Sequence, residues 1–360
     1  MDAIMQGRIE WFNQFVMSLD IDKIPIGLFS GKMGICIYFY YQARLNKNKE
    51  YENFAELLIN SIYTQIHTEM PIYIEDGLVG LCYGINYLIE KRFVKGNVNF
   101  ILKEVDDKIY SFFCFNVLSE HTSSALIENL ITIVELTMYF CIRLENNNLN
   151  ANEQYLFKNV IIKAINKIEN TTLTEEFTEP SLFSVKNYFL PIYLTLLCKI
   201  YKLNFYNYKV EKILDELSDK LKSTYPLQQS GRLLISAGMR NIEKVRSMDG
   251  WKEHILLLEQ NTNFSSILKD EFRNKNVFPS DGITGFYFLS KNLLKFPNES
   301  CELLSKKIVL SDVWDIYLED KTKLESRIGL VTGFCGVILT YQDILNNPQN
   351  GKNEPLDYLI

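Results

Sequence analysis

The sequence is short of the residues from which most metal and catalytic centres are built. It has only three histidines, His67, His121 and His254, in 360 residues. Its seven cysteines are dispersed, with no Cys-x-x-Cys pair. That spacing excludes a zinc ribbon and a disulfide framework, and it reads as a reduced, cytoplasmic protein. Basic residues do not dominate either. Lys and Arg number 38 against 44 Asp and Glu, a net charge of −6. No basic patch is interleaved with aromatics, so nucleic acid and anionic membranes are excluded as main partners. The longest apolar run, residues 188–201, is interrupted by Pro191 and Lys199 and is too short to span a bilayer. The opening residues lack a charged-then-apolar leader. No stretch alternates strictly enough to be a sheet strand. There is no phosphate-binding glycine loop with its lysine, no His-Glu-x-x-His and no nucleophile elbow.

What the chain does have is a glycine pattern that recurs from near one end to near the other. Gly27-Leu28-Phe29-Ser30-Gly31-Lys32-Met33-Gly34 comes first, then Asp76-Gly77-Leu78-Val79-Gly80-Leu81-Cys82-Tyr83-Gly84. Asp281-Gly282-Ile283-Thr284-Gly285 and Gly329-Leu330-Val331-Thr332-Gly333-Phe334-Cys335-Gly336 follow later. Pairing Gly31 with Gly84 and Gly285 with Gly333 gives a period of roughly 50 residues. That period predicts three more modules near positions 134, 185 and 235. The eroded copies are Ser123-Ser124-Ala125-Leu126, Ser181 to Leu190, and Gly231 to Ile242.

Amphipathic helices separate the glycine stretches. Tyr51, Phe54, Leu57, Leu58 and Ile62 keep the 3, 4 spacing of one helical face. So do Ile101, Leu102, Val105, Ile109, Phe112 and Phe113, and again Val210, Ile213, Leu214, Leu217 and Leu221. The runs after the glycines, such as Ile35 to Tyr41, are apolar on nearly every side and belong in a core. Each module is therefore one buried and one half-exposed helix joined through a glycine turn. Seven such hairpins make an all-α chain. Its terminal modules are as apolar as the middle ones, which favours a closed α/α toroid over an open solenoid with polar caps. The expected organisation is one domain over residues 1–360, with repeats at about 25–345 and a tail over 346–360.

Seven helical hairpins, each with a Gly-x-x-Gly turn before an inner helix, resemble the lanthionine synthetase C-like proteins. The resemblance spans about residues 25 to 345 and is clearest at Gly77 to Leu88. It implies an α/α toroid acting on a ribosomally made peptide. Active members close thioether rings by adding a peptide cysteine to a dehydrated serine or threonine. They use a zinc ion that presents the thiol as a thiolate. The family's zinc ligands come as Cys-x-Gly in the fifth module and Cys-His-Gly in the sixth, with a proton-moving histidine in the fourth. In the glycine register above, those places hold Ser236-Ala237-Gly238, Ile283-Thr284-Gly285 and Ser184. No zinc is therefore expected, and no residue is assigned as a metal ligand. No Cys or His lies between Pro226 and Gly250 or between Phe272 and Ser300, so a slip of one or two residues leaves this unchanged.

The candidate binding residues are Tyr83, Ser184, Ser236, Arg240, Thr284 and Thr332, with Arg232 and Arg327 nearby. The acidic residues entering the turns, Glu75, Asp76 and Asp281, are the candidates for acid–base work, although an Asp before a turn is usually a cap. Cys82, Cys36 and Cys335 read as core thiols. The expected role is binding a peptide or assisting its maturation enzyme. The alternative is an active enzyme on the same toroid, with relocated zinc ligands or with the mouth carboxylates as acid and base.

Overall fold

The 3, 4 spacing of apolar residues folds into helices along the whole chain. In the computed structural model the described residues are 2–67, 69–118, 127–145, 149–172, 189–272, 276–291 and 298–346. No strand occurs among them. They fall into two compact units. The first contains α1 (Asp2–Met17), α2 (Lys32–Asn46), α3 (Lys49–Gln65) and α4 (Leu78–Glu90). The second contains α5 (Val98–Phe112), α6 (Ile127–Glu145), α7 (Ala151–Thr172), α8 (Phe189–Leu203), α9 (Asn207–Ser223), α10 (Gln229–Glu243) and α11 (Trp251–Gln260). The first unit is completed by α12 (Phe264–Ser266), α13 (Ile283–Lys291), α14 (Asn298–Val309), α15 (Val313–Leu318), α16 (Lys321–Glu325) and α17 (Phe334–Asn346).

Two kinds of helix alternate. In α4 every residue from Leu78 to Leu88 is buried, and in α17 every residue from Phe334 to Tyr341. By contrast, α9 buries one stripe, Val210, Ile213, Leu214, Leu217 and Leu221, and turns its charges outward. Each of those aliphatic side chains contributes about 1.5–3 kcal/mol by leaving water. In α3 the stripe is Phe54, Ala55, Leu58, Ile59 and Ile62, and Leu57 is exposed, contrary to the sequence expectation. Asn48 starts this helix by accepting a hydrogen bond from the Glu50 amide at 2.8 Å. The modules expected near 134, 185 and 235 correspond to α6, α8 and α10. The third- and fourth-module turns, including Ser123 to Leu126 and Ser181 to Tyr188, lie outside the described residues. Asn146 to Asn148 and the tail from Asn347 do so too.

Within the first unit, α13 packs on α17, α17 on α2, and α2 on α4. The last helical hairpin of the repeat region thus lies against the first. Phe334 of α17 meets Phe12 of α1, and Gln342 exchanges hydrogen bonds with Gln42 of α2.

Candidate functional site: the glycine turns

Four turns in the first unit are built alike. The amide of the first helical residue donates to the carbonyl seven residues earlier: Lys32 to Pro25 at 2.6 Å, Leu78 to Pro71 at 2.9 Å, Ile283 to Asn276 at 3.1 Å and Phe334 to Arg327 at 2.7 Å. These bonds satisfy an amide that every helix start otherwise leaves open. They also correct the register. Gly31 is equivalent to Gly77, Gly282 and Gly333, each just before a helix, and not to Gly84 or Gly285. Gly84 lies inside α4, where the Met33 side chain packs against it.

Neighbouring turns are joined backbone to backbone. Ser280 N donates to Val331 O at 2.9 Å, Val331 N to Phe29 O at 3.0 Å, and Phe29 N to Glu75 O at 2.9 Å. The donors and acceptors are the same position in each repeat, two residues before the helix-starting glycine. The next residue along carries an oxygen in all four turns: Asp281, Thr332, Ser30 and Asp76. Ser30 Oγ donates to Asp76 Oδ1 at 2.8 Å, and Ser280 Oγ to Asp281 Oδ1 at 2.6 Å. Thr332 Oγ1 donates to Phe29 O at 3.4 Å. Two turns stand between Asp281 and Asp76 in this ladder, so each carboxylate is held by its own serine and the ladder does not pair them. Glu75 contributes its carbonyl, which also accepts from Leu28 N at 2.8 Å.

The remaining candidates are placed elsewhere. Tyr83 is buried in α4. Ser236 is buried in α10, its hydroxyl turned back onto Leu233 O at 2.8 Å. Thr284 is buried at the start of α13 and donates to Val277 O, which locks the turn. Arg240 forms an ion pair with Glu259, and Arg327 donates to Thr332 O at 3.1 Å and stacks over Phe278. Ser184 and His121 lie outside the described residues. His67 is exposed after α3, and His254 is buried with Nε2 3.0 Å from Thr224 O. Among the described residues, the candidates that meet do so in the turns, through the ladder and the Arg327–Thr332 bond.

Three of the core thiols are poor ligands as they stand. Burial lifts Cys36, Cys141 and Cys335 above the ordinary thiol range, and a thiol that keeps its proton is neither a nucleophile nor a metal ligand. No group of three or more His, Cys, Asp or Glu among the described residues is arranged to hold a metal ion.

Sequence reasoning missed three buried ionisable groups. Lys32 opens α2 fully buried, its Nζ donating to Ser61 Oγ at 3.0 Å and Gln65 Oε1 at 2.9 Å. Burial pulls its ammonium below the ordinary lysine value, against Asp22 and Asp20, which push it up. In the second unit, Arg143 of α6 grips Asp106 of α5, and Tyr139 donates to the same carboxylate. One signal was available: Glu135, Tyr139 and Arg143 repeat every four residues along a largely apolar stretch of the helix.

Glu135 is half-buried, and burial pushes its carboxyl from 4.5 up to about 7. The native protein then keeps a proton that the unfolded chain releases. Glu135's contribution to stability is fully present below pH 4.5 and is lost as pH rises through about 7. Glu135→Gln is expected to raise stability by about 1–2 kcal/mol near pH 8 and to change it little near pH 4. Urea midpoints at the two pH values check this. A gain of the same size at both would show that proton binding at Glu135 is not the cause.

No family model matches the chain, and no curated protein matches it in sequence. A solved structure titled "Nisin cyclase" matches it at a TM-score of 0.50 and 14% identity, over 96% of this chain and 94% of that one. This likeness shows the fold: an all-helical α/α toroid. No helix among the described residues is long and apolar enough to cross a membrane.

Proposed function

We propose that this chain is a divergent lanthionine synthetase C-like protein that binds a ribosomally made peptide, or assists the enzyme that modifies it, without a zinc-dependent cyclase centre. One observation carries the reading. In the register fixed by the helix starts, the place of the family's Cys-His-Gly is Ser280-Asp281-Gly282. The place of Cys-x-Gly is Pro226-Leu227-Gln228, because Gln228 caps α10. Pro226 offers no donor, a neutral serine hydroxyl is a poor zinc ligand, and the Asp281 carboxylate, which already accepts from Ser280 Oγ, is one ligand where three are needed. Zinc does not fit this donor set. The glycine turns are instead consumed by structure, their backbone groups bonding one another. The cytoplasmic setting is inferred from cysteines that form no disulfide.

The test is metal analysis of protein purified without chelator, alongside a binding titration with any short precursor peptide found encoded near the gene. Peptide binding with far less than one equivalent of zinc is expected. A full equivalent of zinc, lost together with thioether formation in Cys82→Ala, would falsify the reading.

Glu135 favours a second reading. A half-buried carboxyl on a core helix, titrating near neutrality, is suited to general acid–base work. On that reading the toroid is an enzyme of another kind. Glu135→Gln would then abolish turnover, and the variants Asp76→Asn and Asp281→Asn would report whether the turn carboxylates share in it.

A further inference from the structure

The turn that enters α10 is built differently from the four in the ladder. It has Gln228 where they have glycine, and Leu227 where they carry an oxygen. Leu227 is 86% exposed, more than any other large apolar residue among those described. Arg232, one turn into α10, is the hub of the surrounding structure. Its Nε donates to Pro226 O at 2.7 Å, Nη1 to Asn261 O at 2.6 Å and Nη2 to Leu227 O at 3.1 Å. The guanidinium also lies 4.5 Å from the centre of the Tyr225 ring. Gln229 ties the same two segments together by accepting from Asn263 N at 2.7 Å. At the end of α11, Asn261 also donates to the Leu257 carbonyl, one turn earlier in the helix, at 2.8 Å. Leu257 and Tyr225 are each nearly half exposed.

All of Arg232's hydrogen-bond acceptors are carbonyls, and no carboxylate among the described residues pairs with it. The obvious candidate, Glu259, is committed to Arg240. A guanidinium has more N–H donors than this one uses, and its charge stays uncompensated. The result is a half-exposed positive charge against the Tyr225 ring, in segments that also carry the exposed side chains of Leu227 and Leu257. Tyr and Arg are also the residue types that carry binding energy where interfaces are examined by truncation.

We infer that this turn is the docking point for an acidic, apolar segment of the peptide, with a glutamate or aspartate side chain on Arg232 and aliphatic side chains on Leu227 and Leu257. Charge complementarity selects the segment: a basic one would meet the same uncompensated cation and be repelled. The inference deepens the peptide-binding reading above and rests on it.

The test is a fluorescence anisotropy titration at low salt with three labelled synthetic peptides, both ends blocked. All place leucines on one helical face. The other face carries glutamate, glutamine or lysine. The wild-type protein is expected to bind the glutamate peptide about tenfold more tightly than the glutamine peptide, and to bind the lysine peptide least. Leu227→Ser and Leu257→Ser are each expected to weaken the glutamate peptide by about tenfold. Leu227 is exposed, so its variant should keep the wild-type melting temperature. Tyr208→Ser, an exposed residue elsewhere in the same unit, is expected to change nothing. Equal binding of the three peptides, or wild-type binding by Leu227→Ser, overturns the docking point. If the natural precursor binds and ignores Leu227→Ser, the docking point falls and the peptide reading stands. If neither the precursor nor the glutamate peptide binds, both fall.

Discussion

Asp106→Ala is expected to cost about 3–5 kcal/mol of stability, a large share of the 5–15 kcal/mol that holds most domains together. Asp106 and Arg143 face each other from α5 and α6 with side-chain exposures of 7% and 1%. Arg143 Nη2 lies 2.7 Å from Asp106 Oδ2, and its Nε lies 3.1 Å from both carboxylate oxygens. Burial raises the Asp106 carboxyl above the ordinary value, while the hydrogen bonds and charge of Arg143 and the Tyr139 hydroxyl pull it back. The pair is thus balanced between a desolvation cost and a strong local attraction, and its net value with both partners present is small. Removing one partner breaks that balance. Alanine at 106 takes away the buried carboxylate that Arg143 and Tyr139 share. The double variant Asp106→Leu/Arg143→Met removes both charges and fills the space, so it should recover most of the loss. Urea unfolding of the two variants and the wild type measures this. If the double variant is no more stable than Asp106→Ala, the cost lies in lost volume and not in the broken pair.

The limit on reading this pair from sequence is instructive. On α5 the apolar residues Leu102 and Ile109 mark the buried face, and Asp106 sits between them as an apparent interruption. Periodicity is a property of one segment, so it shows that a polar residue lies on a core face but not what meets it there. The partner comes from α6. The buried stripes of α5 and α9 and the fully buried runs after the glycines were legible because each is local. Leu57 was misplaced because Ile59, two residues on, serves the buried face of α3 in its stead.

The register of the turns failed for a related reason. Gly77, Gly80 and Gly84 are spaced three and four apart, so the sequence offers two overlapping Gly-x-x-Gly-like readings. The choice between them is made by the Leu78 amide reaching Pro71 O, and by Phe29 of the preceding turn bonding Glu75 O. Neither bond leaves a trace in the spacing of glycines. The consequence for the candidate site was direct. Ser236 and Tyr83 were assigned to turns and sit inside helices, whereas Ser30 and Ser280, which hold the two turn carboxylates, were passed over. The Leu227 turn was hidden by the loss of its first glycine.

Gly80→Ala is expected to destabilise the protein by about 3 kcal/mol or more, because the new methyl group has no space and the atoms around it cannot yield. A Cβ at Gly80 would lie 1.9 Å from the Ile74 carbonyl oxygen and 3.0 Å from the Leu28 Cβ. The first contact is backbone of its own turn and the second is the preceding turn. The same double contact recurs around the ladder. Gly34 faces Leu28 O at 2.2 Å and the Leu330 Cβ at 2.6 Å, and Gly336 faces Leu330 O at 1.9 Å and the Pro279 Cγ at 2.6 Å. In these three turns the second glycine therefore lets its helix press against its own turn and receive the side chain of the neighbouring one. Opening either contact pulls on the bonds from Leu28 and Phe29 to the Glu75 carbonyl, so the damage is not confined to one residue. Gly7 supplies the control. It is an exposed helical glycine with nothing within 4 Å of its added Cβ, and Gly7→Ala should be neutral or stabilising by up to about 1 kcal/mol through helix propensity. The two substitutions add the same methyl group to a helix, so the difference between their urea midpoints isolates packing from propensity. Equal midpoints would show that the turns have slack, and that glycine at these positions serves something other than close approach.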